Sequence, residues 1–249
     1  MSKDDRHRWT ACAFGLLMMV MAGCTTAPVK PSGGGAPPPE IAASEGWWSA
    51  RFRMQWPEEQ PVNWQWDLLI ADKIIAPVLE QYKESIRLWR FHRRAARDQA
   101  GHQFSFIFYS SAERATQIFD ALRSDALLAE MKSAGVVIAA IYDQTDNIAK
   151  PRISDTSDPH WPSAIQKSWP YYIMGASQMW LNLISETVAE MQPPGAALSL
   201  AENEQLYKRV NAEITSLWEA NGQHAFLHHL NALFGYEPLV YSEKRMLTF

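Results

Sequence analysis

Cysteine is nearly missing: Cys12 and Cys24 are the only two among 249 residues. A CxxC pair, an HExxH helix, a GxSxG elbow and a Gly-rich phosphate loop after a strand are missing altogether. Those absences remove zinc ribbons, helical zinc proteases, the serine-hydrolase elbow and P-loop phosphate binding from consideration. Positive charge is also short, with 23 Lys and Arg against 27 Asp and Glu for a net −4. A chain of that balance does not hold nucleic acid through its bulk charge, and none is expected as a partner. Fifteen Pro and twelve Gly are too few for a low-complexity chain. Aromatic surface is plentiful: eleven Trp, ten Phe and eight Tyr predict a large aromatic core in one globular body with an extension.

Near the start, Arg6, His7 and Arg8 precede a thirteen-residue apolar run over 10–22. A helix needs about 20 residues to cross a hydrocarbon layer of about 30 Å, so this run reads as a secretory signal rather than a span. It ends in Val20-Met21-Ala22-Gly23-Cys24. Small residues directly before a Cys resemble the lipobox of bacterial lipoproteins, with Met21 standing where that family usually has Leu. The resemblance implies that 1–23 is a removed signal and that Cys24 is diacylated, which anchors the chain to a membrane through two acyl chains. Thr25, in place of the Asp that marks inner-membrane retention, implies the outer membrane of a Gram-negative envelope, facing the periplasm. The mature chain would then carry 20 basic and 25 acidic residues and neither a free thiol nor a disulfide. The rest of 24–45 holds five Pro and three consecutive Gly with almost no large apolar side chain, and predicts a tether. A proline-rich ligand for a partner is the other reading of that segment.

From Trp47 to Trp56 apolar and polar residues alternate: Trp48, Ala50, Phe52 and Met54 on one side, Arg51, Arg53 and Gln55 on the other. Period two over ten residues predicts a half-buried strand. Leu68, Ile75, Leu79 and Tyr82 then fall at helical spacing, with Pro77 expected to kink or split the helix. Two more alternating runs, 85–94 and 102–109, flank AARDQAG and predict a hairpin. Ser111 is placed to cap a helix running to 133, and Gly135 to end it. The unbroken apolar run 136–142 predicts a central, buried strand. Strand, helix, strand, strand, helix, strand is the split βαβ order of the ferredoxin-like α+β fold, a four-stranded antiparallel sheet with two helices. That body would occupy 46–142, a polar loop 143–162, and a C-terminal extension of three helices 163–249. Pro170 is expected to disturb the first of those three, and Asn221-Gly222 to separate the last two. The extension either covers the open sheet face or stands beside it.

The densest polar cluster is the hairpin, where Arg87, Arg90, His92, Arg94 and His102 are candidate ligand-binding residues. Alternation puts Arg90, His92 and Arg94 on one face, and Arg87 and Arg93 on the face of Trp89 and Phe91. Several guanidinium forks on one sheet suit a carboxylate or phosphate ligand. The competing reading is that they pair with the acidic surplus or blunt an edge strand. His92 and His102 lie at corresponding hairpin ends and are expected to approach each other. Trp161, Trp169 and Trp180 recur near one helical face, as core or as an aromatic groove for a glycan, lipid or peptide. Asp143, Asp146, Asp155, Asp158 and His160 have ligand atoms, but lack the Gly and terminal Glu of a calcium loop. A solvated turn-rich loop accounts for them, so no metal site is assigned and no cofactor is expected.

DLLIADKIIAPVLEQY, LWRFHRR and GHQFSFIFY in succession resemble the C-terminal elimination-type domain of lantibiotic dehydratases. That family uses Arg and His to eliminate an activated glutamate, and the resemblance points to Arg90, His92 and His102. Three functions stay open. The first is a lipid-anchored binding module that holds an anionic ligand, envelope polymer or partner segment in an Arg/His/Trp-lined cleft. The second is a structural envelope lipoprotein acting through protein contacts. The third is an envelope enzyme with His92 or His102 as acid or base.

Overall fold

Alternation along the first strand decides the centre of the sheet. Strand β1 (Glu45–Met54) turns Trp48, Ala50, Phe52 and Met54 into the interior, each almost wholly shielded from solvent. The computed structural model describes residues 44–192, 195 and 197–236; the segments read as signal and tether, with Cys24 and up to residue 43, lie outside them. Strands β2 (Leu88–Ala95), β3 (His102–Ser111) and β4 (Val137–Tyr142) complete one antiparallel sheet in the order β2-β3-β1-β4. The fold is α+β, with the strand order and directions of the split βαβ arrangement.

One face carries the core. Across it lie Trp48, Phe108 and Trp89, then Ala50, Phe106 and Phe91, then Phe52, Phe104 and Arg93. Cross-strand aromatic neighbours of this kind are what binds a sheet laterally. Helix α1 (Gln65–Leu69) runs through a π-helical stretch, Ile70–Ile75, into α2 (Ala76–Gln81) and covers that face together with α3 (Ala112–Arg123) and α4 (Ala126–Ser133). Pro77 does not split this stretch, because the π-helical turns before it join α1 to α2 without a gap.

Four expectations need correction. The run 136–142 is not central: β4 is an edge strand, with Ile138 56% and Ile141 38% exposed. Hydropathy alone cannot distinguish a buried edge from a centre, and the wider aromatic faces of β1 and β3 take the middle. The helix over 112–133 is two helices, because the Asp125 side chain accepts the Leu128 N–H at 2.8 Å and caps a new start. Pro170 does not break helix α5 (Ser163–Met191); Ser157 Oγ donates at 2.7 Å to the Gln166 carbonyl, which Pro170 has no N–H to satisfy. Asn221-Gly222 does not split the chain either, since α6 (Leu200–Gly222) continues through a π-helical stretch, Gln223–His228, into α7 (His229–Leu233).

The C-terminal helices stand beside the sheet and share its core. Helix α5 lies along the β2 edge, where Ser177 Oγ accepts the Phe91 N–H at 3.1 Å and so partners an edge group that would otherwise meet water. Helix α6 packs on α1 and adds Leu206, Tyr207, Val210 and Ile214 to the core. The opposite sheet face stays clear of helices α1 to α4. A strap from the 143–162 loop crosses one end of it, with Trp47 Nε1 donating to the carbonyls of Arg152 and Ile153 and Tyr109 OH to that of Pro151. Gly46 permits the close approach: a Cβ there would stand 2.4 Å from Ile148 Cγ2.

Candidate functional site: the cationic sheet face

Strand pleating puts every second residue on the strap side of the sheet. Beyond the strap the rungs read Arg90 opposite Ile107, His92 opposite Ser105 opposite Arg51, and Arg94 opposite Gln103 opposite Arg53. Four guanidinium groups and an imidazole therefore share one surface, floored by the buried Ser105. Arg51 and Arg53 were not singled out from the sequence as site residues, although their period-two spacing on β1 is the signal that could have found them.

Two of the four arginines meet carboxylates. Arg51 Nη2 lies 2.9 Å from Asp143 Oδ1, and Arg94 holds Asp98 through both terminal nitrogens, at 2.6 and 3.1 Å. That fork, with the N–H groups of Gly101 and Ala100, holds the Asp98 carboxyl down to about 2. The other two have no carboxylate among the described residues. Arg53 donates to the Gln99 carbonyl at 2.7 Å and Arg90 to the Thr156 hydroxyl at 3.0 Å. The Nε atoms of Arg51 and Arg53 are buried without a hydrogen-bond partner. Burial at the strap's margin lowers the pKa of Arg90, the signature of a cation short of compensation.

His92 stands exposed between Arg90 and Arg94. Partial desolvation of its ring by the neighbouring side chains first, then the charges of Arg90 and Arg94, hold its pKa below the ordinary histidine value. The free site is thus uncharged at His92 near neutrality, and an anion laid beside the ring favours its protonation. We expect the His92 ring signals in an NMR titration to give a midpoint below 6.5 in the free protein and a higher one with polyanion bound. Affinity should accordingly rise as pH falls through that range. An unmoved midpoint would place the anion elsewhere.

The remaining candidates separate. Arg87 pairs with Glu45 at 2.7 Å and lies over the Tyr109 ring at the sheet's far end. His102 does not approach His92: it sits opposite Ala95, on the helix-covered face, where neighbouring residues alternate sides. There it is fully buried, with Nε2 2.9 Å from Asp67 Oδ1, while Arg93 Nε donates to Asp67 Oδ2 at 2.8 Å. The trio that the dehydratase resemblance names, Arg90, His92 and His102, is therefore split between faces. Trp161 meets Trp169 edge-on at 5.0 Å at the start of α5, whereas Trp180 packs against Phe91 and Phe104 further along, so the three line no common groove. In the polar loop, Asp155 pairs with Arg152, Asp158 accepts the His160 N–H, and Asp143 pairs with Arg51. Among the described residues no three His, Cys, Asp or Glu side chains gather as a metal site. Nor is any described helix long and apolar enough to cross a membrane.

Fold and surface together define a ferredoxin-like α+β domain, buttressed by C-terminal helices along one sheet edge, that presents arginines on the sheet face opposite α1 to α4. No family model, curated protein or solved structure matches this chain.

Proposed function

We propose that this protein binds an extended polyanion of the cell envelope on the arginine-bearing sheet face, held near its ligand by the lipid on Cys24. The observation that carries the reading is the pair of guanidinium groups without a carboxylate, Arg90 and Arg53. They lie two strands and two rungs apart, roughly 16 Å across the sheet from ordinary strand spacings. One carboxylate or phosphate cannot bridge that gap, and a chain of them can. His92 and the half-satisfied Arg51 lie between the two and supply further donors.

Arg90→Met tests the assignment in the full chain, with polygalacturonate and inorganic polyphosphate as probes of carboxylate and phosphate polymers. Removing an uncompensated, half-buried charge should leave the melting temperature equal or higher, while affinity falls at least tenfold. The wild-type affinity should also drop steeply with added salt. Unchanged binding in the variant would remove this face from consideration.

Ile138 and Ile141, exposed on the β4 edge, support a second reading in which the protein acts through protein contacts. For the enzyme reading, His92 is the accessible imidazole of the two sequence candidates, since His102 is sealed against Asp67.

A further inference from the structure

Between α5, α6 and the π-helical stretch after it lies a cavity of about 420 Å³. Trp180, Leu183, Ile214, Trp218 and Phe226 are part of its wall, and Arg93 is the one charged residue among the described residues lining it. That volume is inside the range of small-ligand sites, about 300–1,000 Å³. Trp218, half exposed, stacks on Phe226 with centroids 5.5 Å apart. Gly222 gives the indole its place, because a Cβ there would stand 2.7 Å from Trp218 Cε3.

Arg93 is held ready rather than consumed. Its Nε bonds Asp67, its guanidinium carbon lies 4.7 Å from the Trp64 ring centre and 4.9 Å from that of Trp180, and its Nη1 makes no hydrogen bond among the described residues. Both oxygens of Asp67 are occupied, one by Arg93 and one by His102, so an entering anion meets no bare carboxylate. An apolar chamber with one guanidinium fitted between indoles matches one ligand chemistry: an apolar tail with an anionic head.

We infer that this cavity binds a single-chain amphiphile bearing a carboxylate, the tail between α5 and α6 and the head on Arg93. The site is separate from the sheet face, so its failure leaves the polyanion reading untouched. Calorimetric titration of the full chain with dodecanoate tests it, with dodecanol as the uncharged control. One dodecanoate per chain, at least tenfold tighter than dodecanol, is the expected result. Leu183→Trp fills the chamber and should abolish binding. Thr215→Trp, on an exposed position of the lining, narrows it without touching the core and should weaken binding at least tenfold. No saturable binding, equal affinity for the two probes, or full affinity in both folded variants would overturn the inference. So would binding that appears only after removal of 237–249, because the chain's own end would then be the occupant.

Discussion

Asp67→Ala should lower folding stability by about 3–5 kcal/mol, the usual consequence of removing one member of a buried ion pair. Asp67 is wholly buried and bonds Arg93 through one carboxylate oxygen and His102 through the other. An ionised carboxylate accepts at both, so the His102 ring donates from Nε2, and the buried Nδ1 is left bare, without a partner among the described residues. Without Asp67 the Arg93 charge stays between two indoles with nothing to offset it. Urea denaturation measures the loss, and Asp67→Ala with Arg93→Met should recover most of it. If the double variant is as unstable as the single one, the ion pair is not the source of the effect.

Asp72→Ala should loosen the C-terminal helices while sparing the sheet. Asp72 lies in the π-helical stretch and accepts hydrogen bonds from two other elements, Ser185 of α5 and Tyr207 of α6. Tyr207 is entirely buried, and its hydroxyl pKa is raised, by burial first and then by the charge and hydrogen bond of Asp72. Stranding a buried hydroxyl costs about 1–3 kcal/mol, and a second lost partner adds to it. Hydrogen exchange should therefore quicken in α5 and α6 while the amides of β1 and β3 keep their protection. Uniform quickening through the sheet would show instead that helices and sheet open as one unit.

Period was what made the fold legible. Alternation in β1, β2 and β3 and helical spacing from Trp64 onward placed the elements in split βαβ order, and that order is the one observed. Local cap and breaker signals were less dependable. Pro170 looked disruptive because its remedy, the Ser157 hydroxyl, belongs to a loop nine residues from the carbonyl it serves. The single helix expected over 112–133 missed Asp125, whose capping role depends on a backbone turn that composition does not reveal.

The site was legible to the same degree. Parity alone put Arg90, His92 and Arg94 on one face of β2 and Arg51 and Arg53 on one side of β1, but it could not say that the two sets would share a surface. That required β1 to pair with β3 in one particular register. Nor could it say which arginines stay uncompensated, since Asp143 and Asp98 reach Arg51 and Arg94 only after the loops have closed. By itself the sequence determined the α+β class, the two sides of β1 and the shortage of thiols, because these follow from spacing and residue type. Only the tertiary structure decided that β4 is an edge, that His102 belongs to Asp67 and Arg93, and that Trp180 walls a cavity. Each of those depends on groups distant in sequence meeting in space, and periodicity carries no information about such meetings.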